Sequence, residues 1–433
     1  MNTLLRFTAQ NYRSICNQHS IVLTPRNNIT DLPKTNIATT GNTKYLKSIA
    51  IYGANSSGKS NWVRAINQMC RMVRRSNKRD PGEPLPHEPF RLDETSSSVP
   101  TLFEVEFLLD EGHFRYGFSY DKTNICSEWL CKILSSKKEQ NLFLRDLDGI
   151  GVDEILFPEG KDKEALTTDN RLFMPLVAQM NGTISKSILG FFFGKINTLS
   201  GLDTDGLEEI TKEMLKEQKT GIDKMKSFFL RTQLGFSDVA IRQSKFEGAN
   251  YPADIPDEAK KLLDALNSNH IGEEVLRVES MHGIYDADGN LIEKKSFDFE
   301  DMESSGTKKL FQLSGPIFDT LEHGNILVID ELDAKMHPLL SQELVRLFND
   351  TESNPHGAQL IFTTHDTNLL SCGMLRRDQI WFTEKDQQER TDLYCMMQLK
   401  LPDGTTPRRD GNMERNYING RYGAIPYIKP FKN

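Results

Sequence analysis

Long apolar runs are missing from this chain of 433 residues. No stretch approaches the ~20 consecutive apolar residues that a membrane helix needs, so no membrane association is expected. The first thirteen residues hold no apolar segment of the kind that directs secretion, and a cytoplasmic location is expected. Cysteine is sparse, with six residues at 16, 70, 126, 131, 372 and 395. Cys126 and Cys131 are the one close pair, and no second pair completes a zinc pattern, so reduced thiols are expected. Internal repeats and long low-complexity tracts are absent too. What is present is the composition of a soluble globular protein, 26% charged and 37% hydrophobic. The length calls for a large domain with an insertion, or for two domains.

Negative charge prevails overall, at −8, yet residues 1–100 hold fourteen Lys/Arg against six Asp/Glu. Arg71, Arg74, Arg75, Lys78 and Arg79 form the densest part. Such a run can attract phosphate backbones, and it also suits a solvated helix end; the residues leave both readings open, and nucleic acid stands as a possible partner.

Alternation predicts strands over Leu5–Ala9, Ser20–Leu23, Thr101–Leu109 and Phe114–Tyr120, the last two joined as a hairpin through Asp110–Gly112. Another strand is expected over Ile125–Leu134. Helical spacing (Trp62, Ile66, Met69, Val73) predicts a helix from Ser60 to Arg75. From about residue 170 to 261 the pattern reads as helical. Leu207–Leu230 gives an amphipathic helix or helix pair, either a layer packed on the core or an arm that meets a partner. Glu274–Met281 and Leu291–Phe299 flank the turn Asp286–Asn290, whose two aspartates are read as turn formers rather than metal ligands.

Chemistry concentrates in four places. Gly53-Ala54-Asn55-Ser56-Ser57-Gly58-Lys59-Ser60 is a complete P-loop pattern between a predicted strand (Ile49–Tyr52) and a predicted helix. Its backbone N–H groups can converge on phosphate oxygens, Lys59 brings charge to the β- and γ-phosphates, and the Ser60 hydroxyl can reach Mg²⁺. The apolar run Ile326–Ile329 ends in Asp330 and Glu331, the first suited to the Mg²⁺ shell and the second to polarising water as general base. A similar run, Gln359–Thr363, is followed by His365, placed to meet a γ-phosphate or that water. Finally, Glu303-Ser304-Ser305-Gly306-Thr307-Lys308 opens a helix with Leu310, Leu313 and Ile317 at apolar spacing. Small polar residues there serve as an anion site or as an ordinary N-cap, and spacing does not decide between them.

In this order the four elements resemble the ABC-type ATPases of the SMC, RecF and OLD class. The resemblance implies an α/β fold: a P-loop ATPase head of mixed sheet with an antiparallel β-lobe, plus a helical insertion. It implies head segments at 1–165 and 273–433 around an insertion at 166–272. Gly53–Ser60 corresponds to Walker A, Asp330-Glu331 to Walker B, Asp333 to the D-loop position and His365 to the switch histidine. Ser304, Ser305 and Gly306 correspond to a divergent signature loop, with Ser305 where glycine is usual and Thr307 where glutamine is usual. The words Phe7–Ser14, Tyr52–Ser60, Glu303–Phe311, Asp330–Pro338 and Arg421–Ile428 resemble more closely the bacterial AAA-15/AAA-21 group. That group includes RloA- and AbiL-type abortive-infection ATPases, and the ATPase subunit of the PARIS phage-defence system is similar. Ala334-Lys335 departs from its usual wording. The resemblance implies ATP and Mg²⁺ as cofactors and ATP hydrolysis by Lys59, Glu331 and His365. It implies nucleotide contacts from Gly53, Asn55–Ser60 and Asp333, and Mg²⁺ held by Ser60 and Asp330. Ser304–Gly306 would act on the ATP of a second copy. A homodimer or higher oligomer, a separately encoded effector (a nuclease or a translation inhibitor) and a phage-protein trigger follow as expected partners. A RecF- or SMC-like DNA-repair role is the alternative.

Overall fold

The computed structural model describes residues 2–200, 206–245, 256, 259–260, 274–401, 404–409 and 411–426. The chain forms two compact units, Met1–Asp203 with Thr320–Asn433, and Thr204–Asp319.

The first unit holds a six-stranded sheet in the order Ile196–Ser200, Ile326–Asp330, Gln359–Thr363, Ser48–Gly53, Ile380–Lys385, Thr391–Cys395. All neighbours are parallel except the last pair. The central strands are short and apolar because both faces are covered, which removes any alternation. Ile49 to Tyr52 and Ile326 to Ile329 are buried throughout. An antiparallel seven-stranded lobe runs Ile150–Val152, Glu139–Arg145, Ile125–Ile133, Gly112–Tyr120, Thr101–Leu109, Thr3–Gln10, His19–Val22. The hairpin expected at Asp110–Gly112 is present. The helix Lys59–Arg75 buries Trp62, Ile66, Met69 and Val73, and Trp62 meets Phe7 of the lobe edge-on at 6.3 Å. Gln359 ties lobe to sheet: its amide accepts from the Leu4 N–H at 2.8 Å and donates to the Leu4 carbonyl at 3.0 Å.

The two compact units divide the chain at other positions than the expected insertion bounds, 166 and 272. Residues 166–200 belong to the first unit, with helices Phe173–Gln179 and Thr183–Gly194 and the edge strand Ile196–Ser200. Their aromatic side chains decide this: Phe191 stacks on Phe107 at 4.7 Å, and Phe173 meets Phe143 at 5.0 Å. Buried Glu128 holds the Phe173 and Met174 N–H groups at 2.6 and 3.0 Å, and burial pushes its carboxyl up from the usual carboxylate range. The second unit also runs past 272 to Asp319, taking in part of the expected C-terminal head segment. It is not wholly helical. Asp238–Lys245, Glu274–Tyr285 and Leu291–Asp298 form an antiparallel sheet beside helices Leu207–Lys216 and Ile222–Thr232. Phe229 and Phe299 pack on Phe311, with Phe299 and Phe311 4.9 Å apart, and Phe236 meets both Phe229 and Phe299. Leu207, Met214, Leu215, Ile222, Met225 and Phe229 of the helix pair are buried within this unit, while Ile210 and Leu230 are exposed. Asp286 Oδ1 accepts the Asp288 and Asn290 N–H groups at 3.0 and 2.7 Å, which makes 286–290 the expected turn. Residues 261–272 of the expected insertion and 427–428 of the expected terminal word lie outside the described residues. Among the described residues no helix is long and apolar enough to cross a membrane.

Candidate functional site

The strand Ser48–Gly53 hands the chain to the helix Lys59–Arg75 through a loop that only some backbones can follow. Ser56 takes φ +64° and Gly58 φ +104°. A Cβ at Gly58 would collide with the Thr391 side chain, and one at Gly53 would lie 2.5 Å from Thr383 Oγ1. These two glycines are there because neighbouring hydroxyls press against the loop. Those hydroxyls hold it. Ser57 Oγ and Thr383 Oγ1 are 2.7 Å apart. Thr391 Oγ1 donates to the Ser57 carbonyl at 3.0 Å. Asn61 Nδ2 donates to Ser14 Oγ at 2.6 Å, and Ser14 Oγ lies 2.7 Å from Thr391 Oγ1.

Beside the loop is a hollow of about 540 Å³ lined by Asn55, Ser56, Ser57, Gly58, Lys59 and Ser60, with Asn61, Arg64, Glu331 and His365 opposite. The structure thus unites the loop, the general-base candidate and the histidine. The first N–H groups of the helix have no partner within it and form an anion-binding end. Lys59 is buried, and its ammonium donates to the Gly53 and Ala54 carbonyls at 2.8 and 3.1 Å. Burial lowers its pKa to about 8, against the pull of Glu331, Asp330 and Asp333.

Thr363, one strand over, organises the acidic pair. Its hydroxyl donates to Asp330 Oδ1 at 2.6 Å and accepts the Glu331 N–H at 2.7 Å. Glu331 is held at φ +53°, a left-handed conformation rare outside glycine, which turns the chain out of the strand into the hollow's rim. Asp333 accepts the His365 N–H with both oxygens at 3.3 Å. Burial, and then the Lys59 charge, lowers the His365 pKa below the ordinary value, against the pull of Asp333, Glu331 and Asp330. Among the described residues no cluster of three or more His, Cys, Asp or Glu could hold a metal by itself. The donor set still fits Mg²⁺, which takes one or two protein oxygens and keeps water and phosphate for the rest; Ser60 and Asp330 are such oxygens.

Ser304, Ser305 and Gly306 belong to the second unit. Ser304 Oγ accepts the Thr307 N–H at 3.2 Å and lies 2.9 Å from Thr307 Oγ1, so it caps the helix Ser305–His323. Glu303, just before it, pairs with His282 at 3.0 Å.

Sequence reasoning missed Thr363, Thr383, Thr391, Asn61 and Arg64. Arg64 carried a signal, since it follows Ser60 on the same helix by four residues and so shares its face. The threonines carried none, because their proximity exists only in the sheet.

A family model described as "AAA domain, putative AbiEii toxin, Type IV TA system" matches residues 48–193 and 207–371. No curated protein matches the chain. Among solved structures, the SMC head domain from Thermotoga maritima is similar, with 12% identity, a TM-score of 0.42, and 90% of this chain and 98% of that one covered. So is the recombination mediator protein RecF with ATP, with 13% identity, a TM-score of 0.36, and coverage of 91% and 99%. With a P-loop built into a parallel sheet and the family match spanning most of its length, the chain belongs to this AAA-domain family and is a P-loop ATPase.

Proposed function

We propose that the chain is the ATP-driven switch of an anti-phage, abortive-infection type defence system, pairing with a second copy around ATP and governing a separately encoded effector. The observation that carries the enzymatic part is the hollow where Lys59, Ser60, Glu331 and His365 converge. Lys59 and the loop N–H groups take the phosphates. Glu331 acts as general base on the attacking water, and His365 offers a ring nitrogen at the same rim. Thr363 holds the Asp330 carboxylate and the Glu331 backbone N–H in place. Mg²⁺, when held by Ser60 and Asp330, neutralises charge on the transferred phosphoryl group. The nucleoside end has room in an adjoining hollow of about 340 Å³ that shares Asn61 and includes Arg13, Ser14 and Phe90. In the second copy, Ser304–Gly306 at a helix N-terminus would close on the triphosphate. The family's description, which names a putative toxin and a TA system, favours the defence reading over DNA repair.

Two measurements test it. Sedimentation of Glu331→Gln with ATP and Mg²⁺ should show a species of twice the monomer mass that Lys59→Ala does not form; a monomer under all conditions refutes the paired switch. In cells carrying the gene with its genomic neighbours, Lys59→Ala should abolish protection in a plaque assay. Full protection by that variant would remove ATP from the defence role.

A further inference from the structure

A third hollow in the first unit, of about 660 Å³, lies at the far end of the P-loop helix. Among the described residues, Arg71, Arg75, Lys78, Arg79 and Lys122 line it together with one carboxylate, Glu83. We infer that this hollow seats the sugar–phosphate backbone of a nucleic-acid strand.

The cations come from separate segments that the fold pins together. Arg71 and Arg75 are exposed on one face of the helix, one turn apart, about 6 Å along its axis. Lys78 follows in the short turn after it. The proline-rich segment 80–86 forms the wall and is fixed from three sides. Asn170 Nδ2 donates to the Asp80 and Glu83 carbonyls at 2.7 and 3.0 Å. Leu85 N–H donates to the Lys122 carbonyl at 2.8 Å. Gln68 and Tyr120 both donate to the Pro86 carbonyl, at 3.4 and 3.3 Å. Lys122 is carried by a turn in which Asp121 Oδ1 accepts the Thr123 and Asn124 N–H groups, each at 2.7 Å.

A helix end attracts cations in its last turn, but that accounts for little here. Arg74 turns away and donates to the Phe192 and Ile196 carbonyls, both at 2.7 Å. Burial lowers the pKa of Arg79 most; Glu83 and Tyr120 raise it, and Arg75 and Arg71, close enough to repel it, lower it further. Among the described residues, none of Arg71, Arg75, Lys78 and Lys122 is within ion-pair distance of a carboxylate. Uncompensated positive charge held rigid in a concavity stores repulsion that a polyanion relieves. Guanidinium forks at one-turn spacing suit successive phosphates. Among the described residues named around the hollow none is aromatic, which favours backbone contact without sequence preference over base stacking. The chain's net charge of −8 leaves this patch as a local attraction that acts within about 10 Å at 0.1 M salt.

The test is fluorescence anisotropy with labelled 20-nucleotide single-stranded DNA and RNA, using the full chain without nucleotide. Wild type should bind, and Arg71→Glu/Arg75→Glu should weaken binding at least tenfold while ATP turnover stays unchanged. The slope of log K against log salt should fall by about 1.4 in the double variant, roughly 0.7 per lost phosphate contact on a single strand. Lys122→Glu, on a separate element, should weaken binding in the same direction and guards against a folding defect in the helix. Absence of wild-type binding, or equal binding by all three proteins, overturns the inference. Displacement of the oligonucleotide by polyglutamate of equal charge as effectively as by unlabelled oligonucleotide would also overturn it, pointing to an acidic protein partner instead. Because these variants spare the ATP hollow, lost oligonucleotide binding with intact turnover separates this inference from the ATP reading.

Discussion

The phosphate cradle of the first unit and the Ser304–Thr307 loop of the second both place serine and glycine ahead of a helix, yet they are held in opposite ways. In the cradle the restraints come from far along the chain: Thr383 and Thr391 on Ser57, and Thr363 on Asp330 and Glu331. In the Ser304–Thr307 loop the Ser304 hydroxyl is satisfied three residues away, by Thr307. Long-range restraint pre-forms a site before its ligand arrives. A locally satisfied cap orders a helix end whether or not a ligand comes. On the proposed mechanism, the first unit is ready for ATP by itself, and the loop acquires its second role only when another copy presents a triphosphate.

Substitutions can break this contrast. The largest effect is expected from Lys59→Ala, which should reduce ATP affinity by more than about a hundredfold in calorimetry, a loss of roughly 3 kcal/mol for a buried charge–phosphate contact. Retained affinity would mean that the loop N–H groups suffice. Glu331→Gln should leave binding intact and slow turnover by about 10² to 10⁴; unchanged phosphate release would take Glu331 out of the base role. Thr363→Val removes a bond to each acidic residue and should cut turnover about tenfold to a hundredfold with little change in ATP affinity, since charged hydrogen bonds contribute about 1.5–3 kcal/mol. A drop in affinity equal to the drop in rate would show that Thr363 supports the whole cradle instead.

Two smaller effects sharpen the comparison. Burial lowers the Lys59 pKa to about 8, and the protonated form is the one that attracts phosphate. ATP affinity of the free protein should therefore hold below pH 8 and fall by roughly tenfold by pH 9. Titration calorimetry at pH 7, 8 and 9 reads this directly, and a flat profile would place the Lys59 proton loss outside that range. Ser304→Ala should cost about 1 kcal/mol of cap stability, seen as a lower thermal midpoint, and leave monomeric ATP binding untouched. Ser304→Asn restores the cap, so turnover that stays low in that variant isolates the role of the loop toward a second copy.

The Gly53–Ser60 pattern was readable because a P-loop is a local object, in which glycine positions, one lysine and one serine follow from backbone geometry over eight residues. Asp330, Glu331 and His365 were readable for a related reason, as polar residues ending short apolar runs. The lobe strands showed themselves by alternation, Phe103, Val105 and Phe107 being buried on one face. The packing of residues 166–319 was not legible because helical periodicity does not say what a face packs against. Phe191 and Phe192 pack on lobe aromatics, while Asp238–Lys245 is a strand only because Glu274–Tyr285 lies beside it.

By itself the sequence determined the kind of chemistry: a phosphate-binding loop, two carboxylates and a histidine at the ends of buried strands. These depend on residue type and on spacing of a few residues, which a linear chain displays. Tertiary structure alone decided that Thr363, Thr383 and Thr391 hold that chemistry in place, that Ser304 caps its own helix, and that Lys122 joins the arginines of a distant helix around one hollow. Those relations span up to 334 residues of chain, and no periodicity encodes a contact that exists only when sheets and loops close on one another.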